Sequence, residues 1–162
     1  MTLPNRIVFD SSTLLRMHTK RNRPLLEFAM MKFSIFVPQI SVYEYLLAKA
    51  FLGKSPEYEM GLLKEIYSIV PLEDEIIVKA ALITNKLLKN RQKMPSSEIL
   101  VGVTAILKDG LLITEHPEAY NPLRKYGLDV ISTEKFIEEL NELIVKFSEE
   151  TSRANVKEPA RG

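Results

Sequence analysis

The run Ile7-Val8-Phe9-Asp10-Ser11-Ser12 changes character at its midpoint. Three consecutive apolar residues suit a short buried strand. The Asp-Ser-Ser that follows is a cluster of helix-capping residues, so a helix is expected over residues 11–19. The same alternation continues outward. Apolar runs at 34–37, 68–71, 111–114 and 128–131 read as strands or extended links. Helical patterning covers 25–31, 41–52, 58–67, 73–90 and 97–108, and a last amphipathic helix covers 133–147. Residues 117–126 contain two prolines and read as a loop with one short helix. Gly53 and Gly110 are expected to end the helices before them. Short strands alternating with longer helices favour a parallel sheet covered on both faces. The expected fold class is α/β, a three-layer α/β/α sandwich around a central, mostly parallel sheet.

The 162 residues suffice for a single domain, expected over 1–147, with 148–162 a mobile polar tail. Hydrophobic residues at 46% and charged residues at 27% exclude a wholly disordered chain. The 22 Lys and Arg nearly cancel the 21 Asp and Glu, leaving +1, so binding to nucleic acid must come from local patches. Absence of Cys removes disulfides, thiolate nucleophiles and Cys-type zinc sites. No targeting segment and no run of about 20 apolar residues is present, so a soluble, cytoplasmic protein with no membrane partner is expected. Neither a G-x-x-x-x-G-K-[ST] loop nor a G-x-G-x-x-G turn occurs.

Sites in parallel sheets form at the carboxyl ends of the strands. Asp10 directly follows the first strand, and Glu115 and His116 directly follow the strand at 111–114. Glu44 falls in the first turn of the helix after the second strand, and Glu98 starts the helix that precedes 111–114. Carboxylates converging there would bind a hard divalent cation through oxygen. Each acid also has a local explanation. Asp10 can cap its helix. Ser41-x-x-Glu44 matches a capping box. Glu98 suits the positive end of a helix dipole, and Glu115 and Glu118 suit a solvated loop.

Taken together, the motifs resemble those of the PIN-domain nucleases, most closely the VapC-type toxin ribonucleases. Ile7-Val8-Phe9-Asp10-Ser11-Ser12 is similar to the family's opening strand and acid. Val37-Pro38-Gln39-Ile40-Ser41-Val42-Tyr43-Glu44 is similar to the strand, Pro and helix that deliver the second acid. Glu98 followed by the apolar, small-residue run 99–107 resembles the third, and Leu111-Leu112-Ile113-Thr114 resembles the strand ending in Thr before the last acidic loop. Gly127-Leu128-Asp129-Val130-Ile131 resembles the closing strand. Two positions depart from the pattern. Glu98 stands where the family usually has Asp. The fourth acid usually lies two residues after the Thr, which here is His116; Glu115 or Glu118 would have to substitute.

The resemblance implies hydrolysis of RNA phosphodiesters assisted by Mg²⁺ or Mn²⁺. Asp10, Glu44, Glu98 and Thr114 would be catalytic, with Asp10, Glu98, Glu44 and Glu115 around the cation. It also implies two partners, a small antitoxin protein and a second copy of the chain. RNA contacts are expected from Ser11 and His116 and, within the basic segments 18–23 and 86–93, from Arg21, Arg23 and Lys93. Tyr43 and Tyr120 either stack on bases or pack in the core or at the rim. His116 is open to three readings: a metal ligand, a proton donor to the leaving oxygen, or a plain loop residue. The apolar stretches 25–33 and 48–52 serve either as core or as partner surfaces.

Two other functions compete. One is a PIN fold with a decayed acid set that binds RNA or protein without cutting. The other is a receiver-like phosphoacceptor domain, disfavoured because Ser11-Ser12 follows Asp10 and Ser132-Thr133 follows the last strand, where paired acids and a Lys would be needed.

Overall fold

The structure, a computed structural model, describes residues 2–157. Five strands form one sheet: β1 (Arg6–Phe9), β2 (Ser34–Pro38), β3 (Ser68–Val70), β4 (Leu111–Thr114) and β5 (Val130–Ser132). Their order is β3-β2-β1-β4-β5, and every pairing is parallel. The chain winds outward from β1 through β2 to β3, then returns to lay β4 on the other side of β1. That reversal makes a topological switch point between β1 and β4, where open parallel sheets bind ligands outside the strand ends.

Alternation along the central strands sends side chains to two separate cores. Ile7, Phe9, Leu111 and Ile113 face one; Val8 and Leu112 face the other. The first core is roofed by α1 (Ser11–Met17), α2 (Arg23–Lys32), α3 (Gln39–Phe51), α4 (Pro56–Ile66) and α7 (Thr133–Val156). The second is roofed by α5 (Asp74–Lys89), α6 (Ser96–Leu107) and a 3-10 segment, Pro117–Tyr126. This is the expected three-layer sandwich, with an entirely parallel sheet.

Several boundaries depart from the sequence reading. Helix α3 starts at Gln39, directly after Pro38, rather than at Ser41. Ser41 therefore lies inside the first turn, fully buried, and its hydroxyl has no hydrogen-bond partner. The Ser41–Glu44 capping box does not form. The turn after α6 is made by Asp109, at φ 50°, and not by Gly110. Gly110 is needed for a different reason: a Cβ there would come within 2.9 Å of Val8 Cγ2. Strand β5 begins at Val130, two residues later than its apolar pattern suggests. Helix α7 continues past Phe147 to Val156; residues 148–156, read from composition as tail, are exposed helix. Backbone hydrogen bonds can propagate a helix beyond the apolar stripe that anchors it. The rest of the expected tail, 158–162, lies outside the described residues.

Candidate active site

Asp10 directly follows β1, beside Thr114, the last residue of β4. It is buried, and its carboxylate is held by residues from both strand ends. Oδ1 accepts from Ser12 Oγ at 2.7 Å and from the Thr13 N–H at 3.0 Å. Oδ2 accepts from Thr114 Oγ1 at 2.5 Å. The same hydroxyls reach onward: Ser12 Oγ accepts from the Glu115 N–H at 3.0 Å, and Thr114 Oγ1 from the His116 N–H at 3.2 Å. Asp10 thus caps α1, as its sequence context suggests, and it also anchors the loop after β4. Capping and site formation use different lone pairs of one carboxylate.

Glu44, one turn into α3, and Glu98, in the first turn of α6, open into the same small cleft of about 130 Å³. Its walls also include Ser11, Ser12, Ser97, Thr114, His116 and Tyr120. Partial burial pushes the Glu44 carboxyl up, and the charges of Asp10 and Glu98 push it further. Glu98 is raised first by burial and then by Asp10, while His116 pulls the other way. Three acids distant in sequence therefore repel one another across one cleft.

This donor set fits a hard cation. It offers carboxylate and hydroxyl oxygens, and among the described residues no Lys or Arg lines the cleft. No group of three His, Asp or Glu among the described residues is set up to hold an ion directly. A hard cation held here would keep several waters and take only one or two carboxylates.

Most other expected site residues lie outside the cleft. Glu115 turns out of the cleft to Arg16, whose guanidinium spans Glu115 at 3.1 Å and Glu134 at the start of α7. His116 lines the cleft but is largely exposed, with Nδ1 3.8 Å from Glu118. Arg23 pairs with Glu27 at 3.2 Å and borders a larger groove of about 450 Å³ between α1, α2 and α4. Arg21 and Lys93 are exposed. His18 lines the larger groove too, with Nε2 2.6 Å from the Tyr67 hydroxyl. Of the uncertain apolar stretches, Leu26, Phe28 and Ala29 are core, whereas Met31, Phe51 and Leu52 are exposed.

Three contributors escaped the sequence reading: Ser12 and Ser97 as cleft walls, and Arg16 as the tie between α1, the β4 loop and α7. Ser12 was accessible in principle. A hydroxyl two residues after an Asp at a helix start commonly folds back onto it. Arg16 gave no signal, because its partners are about 100 residues or more away.

No family model matches the sequence. The chain is 38% identical over 146 residues to a VapC ribonuclease of Pyrococcus furiosus, covering 90% of this chain and 98% of that protein. It is 25% identical over 126 residues to a VapC ribonuclease of Methanocaldococcus jannaschii, covering 78% and 87%. Among solved structures, VapBC2 from Rickettsia felis bound to a promoter DNA fragment superposes with TM-score 0.65 at 11% identity, covering 78% of this chain and 97% of that one. VapBC-1 from nontypeable Haemophilus influenzae gives 0.63 at 16% identity, covering 78% and 97%. The structural matches establish the fold alone.

Proposed function

Because this chain belongs to the VapC ribonuclease family, we propose that it hydrolyses RNA phosphodiesters at the cleft of Asp10, Glu44 and Glu98. The observation that carries this reading is the meeting of those three carboxylates at the β1–β4 switch point. When bound, Mg²⁺ or Mn²⁺ supplies positive charge against the phosphodiester and makes water more acidic. Asp10 and Glu98 would hold the cation, with Glu44 completing the negative charge. Thr114 and Ser12 keep Asp10 aimed into the cleft. Ser11 and His116 line the cleft and would donate to a phosphate oxygen bound there. Glu115 belongs to the Arg16 tie and acts through the loop rather than on the cation.

RNA reaches the site along exposed basic side chains, including Arg21 and Lys93. A small antitoxin would bind the chain to restrain it. A second copy would cover the exposed apolar stripe Tyr43, Leu47 and Phe51 on α3. Among the described residues, no helix is long and apolar enough to cross a membrane.

A second reading is a binding module that does not cut. His116 at the usual fourth acid position and the engagement of Glu115 by Arg16 favour it. One experiment separates the two. The full chain is incubated with a mixed RNA pool in Mg²⁺ or Mn²⁺, with and without excess EDTA, beside Asp10→Asn. Asn keeps an N-cap acceptor, so the fold should survive. Cleavage that vanishes with chelator and in Asp10→Asn supports the nuclease. RNA retention without any cleavage supports the module. Cleavage indifferent to EDTA refutes the metal-assisted mechanism.

A further inference from the structure

Two side chains three residues apart on one face of α1, Thr13 and Arg16, fasten that helix to β4 and α7 in different ways. Thr13 is fully buried. Its hydroxyl donates to the Ile113 carbonyl at 2.8 Å and lies 2.9 Å from the Thr133 hydroxyl. Those bonds grip the β4 backbone but not the loop beyond it. Arg16, with 35% of its side chain exposed, reaches that loop. Its Nη1 donates to both oxygens of Glu115, at 3.1 and 3.3 Å, and its Nη2 donates to Glu134 in the first turn of α7. A planar guanidinium can bridge two carboxylates in this way, whereas an ammonium has no such fork.

The loop that Arg16 grips is the one whose amides support the cleft. The Glu115 N–H donates to Ser12 Oγ at 3.0 Å, and Ser12 Oγ donates to Asp10 Oδ1 at 2.7 Å. One residue on, the His116 N–H donates to Thr114 Oγ1 at 3.2 Å, and Thr114 Oγ1 donates to Asp10 Oδ2 at 2.5 Å. Each oxygen of Asp10 is therefore held by a hydroxyl that is itself held by a loop amide. A hydroxyl has one proton, so an amide donating to its oxygen leaves that proton for the carboxylate. The two hydroxyls lie 3.5 Å apart, so each has the other as an alternative partner once its amide withdraws. An ion pair as exposed as that of Arg16 adds little to global stability. Its loss would show in the loop before it shows in the melting temperature.

We propose that Arg16 is a positioning residue of the cleft: by clamping Glu115 it fixes the two loop amides that hold Ser12 and Thr114 on Asp10, and so sets how tightly the site takes a divalent cation. This role rests on the nuclease reading. It requires no contact of Arg16 with cation or RNA, and Arg16 is not a wall of the cleft. Loss of an interaction that orients a metal-ligating side chain typically costs about 10–100-fold in metal affinity or activity.

The test uses the full chain, Arg16→Gln, Glu115→Ala and the double variant. Hydrogen exchange of the amide at position 115 is followed by NMR without metal or RNA. Mn²⁺ affinity is measured by electron paramagnetic resonance, and RNA cleavage is measured across Mn²⁺ concentration. In Arg16→Gln the amide should exchange faster and the Kd for Mn²⁺ should weaken about 10-fold or more. Its kcat should fall at limiting Mn²⁺, with KM for RNA and the melting temperature nearly unchanged. Arg16→Lys should recover part of the loss, because it can still pair with Glu115. Glu115→Ala breaks the same tie from the loop side, so it decides the matter even if Arg16→Gln folds poorly. The double variant should be no worse than Arg16→Gln, since the two residues act as one unit. A Kd within about twofold of wild type in both single variants overturns the proposal, as does an amide that exchanges no faster. So do losses that add in the double variant, or a raised KM at unchanged Mn²⁺ affinity, which would place Arg16 on RNA instead. A wild-type chain that neither binds Mn²⁺ nor cuts RNA overturns the nuclease reading and this proposal with it; intact wild-type behaviour with unaffected variants overturns this proposal alone.

Discussion

Helix α1 is only Ser11–Met17, about 10 Å long at 1.5 Å per residue, and each end borders a different recess. Its N-terminal end makes the acid cleft, with Asp10 as cap. Its C-terminal end, capped by His18, borders the wider groove against α2 and α4. The small recess gathers carboxylates and hydroxyls; the large one is lined mostly by Met17, Leu26, Met30, Leu62 and Ile66. Size and chemistry run in opposite directions here. Carboxylates held together repel one another, which helps raise Glu44 and Glu98 and costs stability. The groove carries no such tension, because its one buried titratable group sits neutral against Tyr67.

The sharpest way to break that contrast is to disable each end in turn. Glu98→Gln should lower kcat at least about 100-fold while leaving RNA affinity nearly unchanged. Its melting temperature should equal or slightly exceed that of wild type, because the raised Glu98 carboxyl marks a charge the fold tolerates at a cost. Arg21→Ala with Arg23→Ala should do the reverse, raising KM a few-fold with a salt-dependent effect and sparing kcat. If the arginine pair damages kcat as strongly as Glu98→Gln, the two ends do not divide chemistry from binding.

Much of this contrast was legible in the sequence, and the reasons are specific. Asp10 and Thr114 could be placed because strands β1 and β4 are too short and apolar to be misread, and strand ends fix a side chain tightly. Glu44 and Glu98 could be placed near helix starts because helical patterning begins at 41 and 97. The Ser41 hydroxyl was misjudged because a capping box is a local pattern, whereas the α3 start is set by where β2 ends. Glu115 is a related case. Its position after β4 is local, but its direction depends on Arg16 and Glu134, and no spacing rule links those three. Tyr120 was open to base stacking or packing; its side chain belongs to the second core and forms part of the cleft wall.

Acid should unsettle the groove rather than the cleft. Burial holds His18 at about 4, with Lys49 adding to the effect. An unfolded His titrates near 6.5, so below that pH the unfolded chain takes up a proton that the folded chain refuses. Stability from His18 is therefore intact near neutrality and falls as the pH drops from about 6.5 toward 4, by about 2 kcal/mol at about pH 5. His18→Gln should show a smaller fall over the same range in urea unfolding. A wild-type curve flat between about pH 7 and pH 5 would mean the groove opens to water more readily than its packing indicates.

Gly102→Ala probes the joint between the cleft and the second core. The added methyl meets Leu123 Cδ1, and Leu123 is fully buried, so the side chain cannot simply swing into solvent. Overpacking costs about 1–3 kcal/mol, and replacing a helical Gly returns about 1 kcal/mol. A net loss of about 1–2 kcal/mol is expected in chemical denaturation. Cleavage should fall alongside, because relieving the clash shifts the segment that carries Tyr120. Lost stability with full activity would detach that segment from the working geometry of the cleft.

The smallest effect is expected at Ser41, three residues before Glu44 on the same helix. Its hydroxyl is buried without a partner, which costs about 1–3 kcal/mol relative to a satisfied group. Ser41→Ala removes that cost, leaves only a small void and improves helix propensity. The variant should be as stable as wild type or more so, by up to about 1 kcal/mol, with cleavage unchanged, since Ser41 is not a wall of the cleft. A drop in stability would show that the hydroxyl finds a partner in solution. A drop in cleavage alone would show that it steadies Glu44 through the first turn of α3, and the acid cleft would then extend one residue shell deeper into the helix than its lining side chains indicate.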